Sequence, residues 1–156
     1  MAARCGGQPI IYCDETLFTR NTYQLSEYSC KKQPLTADAR DFYLPPVWVI
    51  AFVEAKRGVV HTASYTESID ARKFLGYCKD VSLKMHGEPF TLFLDGASFH
   101  RSKDIKADLE SLGITRIINV PYSPQYNPIE GCFSIVKNYF KRKRLHDIVN
   151  GNATLL

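Results

Sequence analysis

The chain has 156 residues, 45% of them hydrophobic and 12% aromatic, the size and composition of one soluble globular domain with a real core. No apolar run approaches the ~20 residues of a membrane-spanning helix, and the N-terminal MAARCGGQPI lacks a signal-peptide core, so neither a membrane anchor nor export is expected. The net charge of +4 is local: Lys137, Lys141, Arg142, Lys143 and Arg144 form an acid-free patch suited to a polyanion, and without them 15 basic residues face 16 acidic ones.

Residues 1–8 are expected to be an N-terminal tail. PIIYCDE (9–15), rich in β-branched and aromatic residues, reads as a strand that ends on acids. Residues 16–46 are mixed and polar, with Pro34, Pro45 and Pro46, and read as irregular structure or a ragged extra strand. VWVIAFVE (47–54) is a near-continuous apolar run, as in a buried strand; AKRG then turns the chain into VVHTAS, an antiparallel neighbour.

From Ser68 to Met85, apolar residues at 71, 74, 75, 78, 81 and 85 follow a helical spacing that Gly87 closes. FTLFLD (90–95) is another buried strand. Ser102 can cap a helix bearing Ile105, Leu109 and Leu112, with Gly113 as its stop. ITRIINV (114–120) is a further core strand ended by Pro121, and a last helix runs from about Asn127 to about Leu145 with Ile129, Cys132, Phe133, Val136 and Phe140 as its buried stripe. The order is mixed α/β with helices packed on a sheet, one domain over 9–146 and a C-terminal tail over 147–156. The five cysteines (5, 13, 30, 78, 132) include no CxxC pair, and no His stands at ligand spacing from another Cys or His. A zinc site or disulfide scaffold is not expected, and a reducing compartment is the plain reading.

Three acids stand out, each with an ordinary explanation. Asp14 can merely terminate a strand. Asp95-Gly96 can be a tight hairpin turn. Glu130 can belong to a capping box, since Asn127 is a good N-cap and Pro128 suits the first helical position. The functional alternative takes them together. If the strands ending at Asp14 and Asp95 are neighbours, their carboxylates share one sheet edge, and Glu130 reaches it from a helix after a proline-stiffened link. Crowded carboxylates repel unless cations neutralise them, and oxygen-only acids suit Mg²⁺ or Mn²⁺. Two such ions can activate a nucleophile and stabilise a leaving oxygen in phosphoryl transfer. On the last helix Ser134, Lys137 and Lys141 follow Glu130 at i+4, i+7 and i+11, a row that can hold phosphate or can simply be a solvated face.

Asp14-Glu15-Thr16-Leu17-Phe18, the run LDGASFHRS (94–102) and the run PYSPQYNPIE (121–130) together resemble the DDE transposases of the Tc1/mariner–IS630 group. The 34 residues between Asp95 and Glu130 equal the DD34E spacing of that group, and the likeness covers residues 9–144. It implies an RNase H-like fold, a mixed central sheet flanked by helices. By the same resemblance Asp14, Asp95 and Glu130 hold two Mg²⁺ (or Mn²⁺) ions, water cuts the phosphodiester at a transposon end, and the freed 3′-OH attacks target DNA at TA, in a homodimeric complex. Strand alternation separates Asp14 from Glu15, and the family pattern selects Asp14.

His100, Arg101 and Lys103 are candidate DNA contacts beside the second acid, as are Lys137, Lys141, Arg142, Lys143 and Arg144 on the last helix. A histidine hydrogen-bonded at a helix entry is an equal reading of His100. Residues 141–144 also resemble a short nuclear import signal, so the compartment expected is the nucleus in a eukaryote and the cytoplasm or nucleoid in a bacterium. Tyr122, Tyr126 and Asn127 are expected to shape their loop. Two departures from the family pattern stand out. The 13 residues before Asp14 cannot hold the helix-turn-helix modules of the group, and the stretch after Phe18 lacks the group's Trp-and-Gly pattern. A catalytic fragment, a truncated element or a repurposed protein would fit the first departure. A nuclease that cuts without joining and a domesticated DNA-binding protein are the competing functions.

Overall fold

The computed structural model describes residues 4–5, 7–19, 45–95 and 103–149. They fall into two compact units, Met1–Thr16 with Trp48–Glu130, and Leu17–Val47 with Gly131–Leu156.

The first unit is built on a sheet. Its strands are β1 (Arg4–Cys5), β2 (Gln8–Phe18), β3 (Val47–Glu54), β4 (Gly58–Tyr65), β5 (Phe90–Leu94) and β6 (Ile114–Ile118), with the path β4-β3-β2-β5-β6 and β1 paired to β2. β3 and β4 are antiparallel, whereas β2, β5 and β6 run parallel. Parallel neighbours require crossovers, supplied here by helices α1 (Ala71–Lys84) and α2 (Lys103–Ser111). β5 is therefore not followed by a hairpin turn, which corrects that reading of Asp95-Gly96.

β2 runs three residues past the strand expected over 9–15, because Thr16, Leu17 and Phe18 suit an extended chain and Thr16 is buried. Arg4–Cys5, within the expected tail, pairs antiparallel with Gln8 and Pro9 through a turn at Gly7, whose φ of 84° suits glycine. The β3–β4 turn is held by Glu54, which is 3% exposed and accepts the Lys56 and Arg57 N–H groups at 3.0 and 2.8 Å.

α1 is capped by Asp70, whose carboxylate accepts the Lys73 N–H at 2.7 Å, so it starts three residues after the expected Ser68. It ends at Lys84 with Met85 as its C-cap, and Gly87 just beyond, the expected stop, donates its N–H to the Ser82 carbonyl with φ 72°. Phe74, Cys78, Val81 and Met85 of this stretch pack with Ile11 and Cys13 of β2, Ile50 and Phe52 of β3, and Phe90, Leu92 and Leu94 of β5. Ile105 and Leu109 of α2 and Ile114 of β6 complete the cluster. Helices α1 and α2 thus cover the sheet face that carries the odd residues of β2 and the even residues of β5. The Cys13 and Cys78 thiols are buried within this core, and burial pushes both well above the ordinary range, so they are neutral packing groups.

The opposite alternation carries Tyr12 and Phe93, whose rings meet at 5.5 Å. The loop after β6 makes a short 3₁₀ turn (Pro124–Tyr126) and leads into α3 (Ile129–Val149), which passes the boundary expected at 146. In the second unit, α3 packs Phe140 edge-on to Phe18 at 5.3 Å.

Replacing Glu54 by Ala leaves two amides of a tight turn without their acceptor, and we expect about 2 kcal/mol of lost stability. Urea unfolding of the variant beside the parent measures it.

Candidate active site

Asp14 and Asp95 are brought level by strand register. β2 and β5 pair in parallel with Ile10 opposite Thr91, Ile11 opposite Leu92 and Tyr12 opposite Phe93. Continuing that register two residues places Asp14 beside Asp95, just past the end of β5. Both lie on the alternation of Tyr12 and Phe93, away from α1 and α2. For β5 this is the carboxyl end, where open α/β sheets gather their reactive groups, whereas Asp14 lies inside β2 and does not terminate it.

Glu130 arrives from the first turn of α3, where it is exposed. The approach is rigid. Asn119 donates its backbone N–H to the Leu94 carbonyl at 2.7 Å and its Nδ2 to the Ser123 carbonyl at 2.9 Å. Tyr122 takes a positive φ of 58° at the bend, and the 3₁₀ turn delivers Asn127, which is buried.

The electrostatics show that Asp14 feels both other acids. The Asp14 carboxyl is pushed up to about 6, chiefly by burial; the Glu15 N–H opposes this, and the negative charges of Glu130, Asp95 and Glu15 add to it. No cationic side chain of the described residues is among these influences. Two hydrogen bonds hold the Asp14 carboxylate: the Glu15 N–H donates to Oδ1 at 2.7 Å and Asn127 Nδ2 donates to Oδ2 at 3.1 Å. Among the described residues no three of His, Cys, Asp or Glu already form a metal-ligating group. The acids therefore share an electrostatic neighbourhood without forming a ready-made cage. Their donor chemistry still fits a hard divalent cation, because all are carboxylates and the negative charge around Asp14 has no cationic offset among the described residues.

Glu15 behaves as alternation requires. Its charge acts on Tyr65 of β4, whose hydroxyl is pushed far up, first by burial and then by Glu15. Asn127 departs from its expected role as a cap. Its amide nitrogen serves Asp14 and its Oδ1 has no hydrogen-bond partner, so only its backbone carbonyl meets the helix, accepting the Glu130 N–H at 3.2 Å. The order Asn-Pro-Ile-Glu contains this residue, but the cap signature concealed its tertiary use.

The candidate DNA contacts are placed less uniformly. His100, Arg101 and the Ser102 cap lie outside the described residues, as does the side chain of Lys103, the first residue of α2. On α3, Lys137 is half-buried with its Nζ 6.0 Å from the Phe18 ring centroid, a cation–π contact. Lys141 is half-buried, Arg142 and Lys143 are exposed, and Lys143 reaches Asp147 at 3.4 Å. The side chain of Arg144 lies outside the described residues. The expected buried stripe needs correcting at Val136, which is 51% exposed; Ile129 and Phe133 are buried, Cys132 and Phe140 only half-buried, and Lys137 is half-buried over Phe18.

The model of one family, DDE superfamily endonuclease, matches residues 9–150. The chain belongs to the DDE superfamily endonucleases. No curated protein matches it. Among solved structures, the Mos1 transposase paired-end complex with the left transposon end aligns with TM-score 0.66 and 18% identity, over 85% of this chain and 42% of that one. The Mos1 mariner paired-end complex with Mn gives 0.62 and 14%, over 92% and 53%. The simian T-cell lymphotropic virus intasome in complex with the PP2A regulatory subunit B56 gamma gives 0.60 and 17%, over 94% and 49%. This DDE domain has their fold, the RNase H-like mixed sheet with flanking helices, and spans about half the length of the Mos1 chains it matches first.

The crowding at Asp14 carries a stability signature. A carboxyl raised from about 4 to about 6 favours the folded state fully below the unfolded value, and that contribution is lost as pH rises through 6. In EDTA, Asp14→Asn should therefore be more stable than the parent at pH 7.5, by on the order of 1 kcal/mol after allowance for solvent screening at this half-buried position. The advantage should vanish by pH 4. Urea unfolding at the two pH values measures both.

Proposed function

We propose that this chain is the catalytic domain of a cut-and-paste DNA transposase of the Tc1/mariner type, hydrolysing a phosphodiester at transposon ends and joining the freed end to target DNA. Its best support is the convergence of Asp14, Asp95 and Glu130 on one electrostatic neighbourhood within a DDE-family domain. A domesticated DNA-binding protein would have no use for three crowded carboxylates.

Asp14, Asp95 and Glu130 would hold two Mg²⁺ or Mn²⁺ ions. When bound, such ions supply an activated hydroxyl and charge stabilisation at the phosphate. The chain's own residues do the positioning. The Glu15 N–H and Asn127 fix the Asp14 carboxylate, β5 carries Asp95 level with it, and α3 brings Glu130. Arg142 and Lys141 on α3 would meet the DNA backbone, as would His100, Arg101 and Lys103, which follow Asp95 in sequence. The expected substrates are transposon ends and TA-containing target DNA, handled by a homodimer, in the nucleus of a eukaryote or the nucleoid of a bacterium.

Two measurements test the chemistry. Mg²⁺ or Mn²⁺ should raise the melting temperature of the parent, and Asp95→Asn should abolish the rise; a parent indifferent to both ions would contradict the metal assignment. Joining of a pre-cut, 3′-hydroxyl DNA end to a second duplex should occur with the parent, whereas cutting without joining would assign the chain to the nucleases. A third measurement tests the basic face. Replacing Lys141 and Arg142 by Ala should weaken DNA binding and reduce the slope of log K against log salt by about 1 for each phosphate no longer neutralised. An unchanged slope would return both residues to the solvated face.

A further inference from the structure

Asn127 joins the two carriers of the acid site. It is 4% exposed, and its Nδ2 donates to Asp14 Oδ2 at 3.1 Å across 113 residues of sequence. Its backbone carbonyl accepts the Glu130 N–H at 3.2 Å. Its Oδ1 is buried without a hydrogen-bond partner, which costs free energy that a residue kept only for packing or capping would not need to bear. The amide orientation follows from charge, since turning it over would set Oδ1 against a carboxylate oxygen.

We infer that Asn127 is a positioning residue: it fixes the plane of the Asp14 carboxylate and ties it to the start of the Glu130 helix, so that the two acids keep the separation that a divalent cation requires. With the Glu15 N–H on Oδ1 and Asn127 on Oδ2, each Asp14 oxygen receives one hydrogen bond and retains a lone pair for a cation. Repulsion tends to drive Glu130 away from Asp14 while no cation is bound, and the Asn127 link resists that movement. A partner of this kind, one shell outside a ligand, orients it and tunes its affinity.

The inference rests on the metal reading proposed above, and its test separates the two. Mn²⁺ affinity of the parent, Asn127→Ala and Asn127→Ser is measured by calorimetry well below each melting temperature. A serine hydroxyl is too short to replace the amide, so both variants should bind Mn²⁺ about 10–100-fold more weakly than the parent. Melting temperatures that fall while Mn²⁺ affinity stays at the parent value would make Asn127 a structural residue only and overturn the inference. A double-mutant cycle of Asn127→Ala with Asp14→Ala in EDTA gives a metal-independent readout. Shifts in melting temperature that fail to add support the link, and additive shifts overturn it. A parent that binds no Mn²⁺ defeats the metal reading, and the cycle alone then decides whether Asn127 positions Asp14.

Discussion

Burial of the Asp14 carboxylate on β2, in the field of Glu130 and Asp95, is the constraint around which this domain is arranged. Asp14 is half-buried, level with Asp95 by register, and within the field of Glu130. Left to electrostatics the acids would separate. They are held because β2 and β5 also carry Ile11, Cys13, Phe90, Leu92 and Leu94 into one apolar cluster with α1 and α2. A slip of one residue in either strand would relieve the acids but expose those side chains, and burial of several large apolar groups outweighs one carboxylate's discomfort. The core therefore enforces the site, and the site's strain is the opening for a cation.

The same parallel pairing explains which parts of the fold could be read from sequence. The apolar runs at 47–54 and 90–95 announce buried strands, and the helical spacing over 71–85 announces α1, because each pattern reports a face in contact with the core. Boundaries were less legible. The helical spacing was expected from Ser68, but α1 starts at Ala71 with Asp70 as its cap, since the start depends on where the chain leaves β4. The strand at Arg4–Cys5 is too short to carry a periodic signal, and only its pairing with Gln8 and Pro9 defines it.

In α3, hydrophobic periodicity misplaced the inward face by one position. Val136 looks like core by type, yet it is exposed, while Lys137 lies over Phe18. A lysine has a four-carbon stem, and its ammonium is attracted to a ring face, so it can occupy an inward position beside Phe133 and Phe140 without burying its charge. Residue class alone does not reveal this, because the contact depends on Phe18, more than a hundred residues away in sequence. The consequence for function is specific: Lys137 already has a partner, whereas Arg142 extends into solvent.

Asn127 shows why local signatures mislead at such a site. Asn, Pro and an acid at the third position form a helix-start pattern, and the helix does start there. A cap would accept the helix N–H groups with Oδ1, whereas the charge-assisted bond to Asp14 is donated by Nδ2; holding Nδ2 toward Asp14 leaves Oδ1 buried without a hydrogen-bond partner, so the helix loses its side-chain cap. The helix start survives the diversion because the Asn127 carbonyl still accepts the Glu130 N–H and because Ile129 and Phe133 are buried. A capping residue can thus be reassigned to a tertiary link while its helix still starts in place. Where a cap signature immediately precedes an acid of a crowded carboxylate group, the first question is which of the two the amide serves.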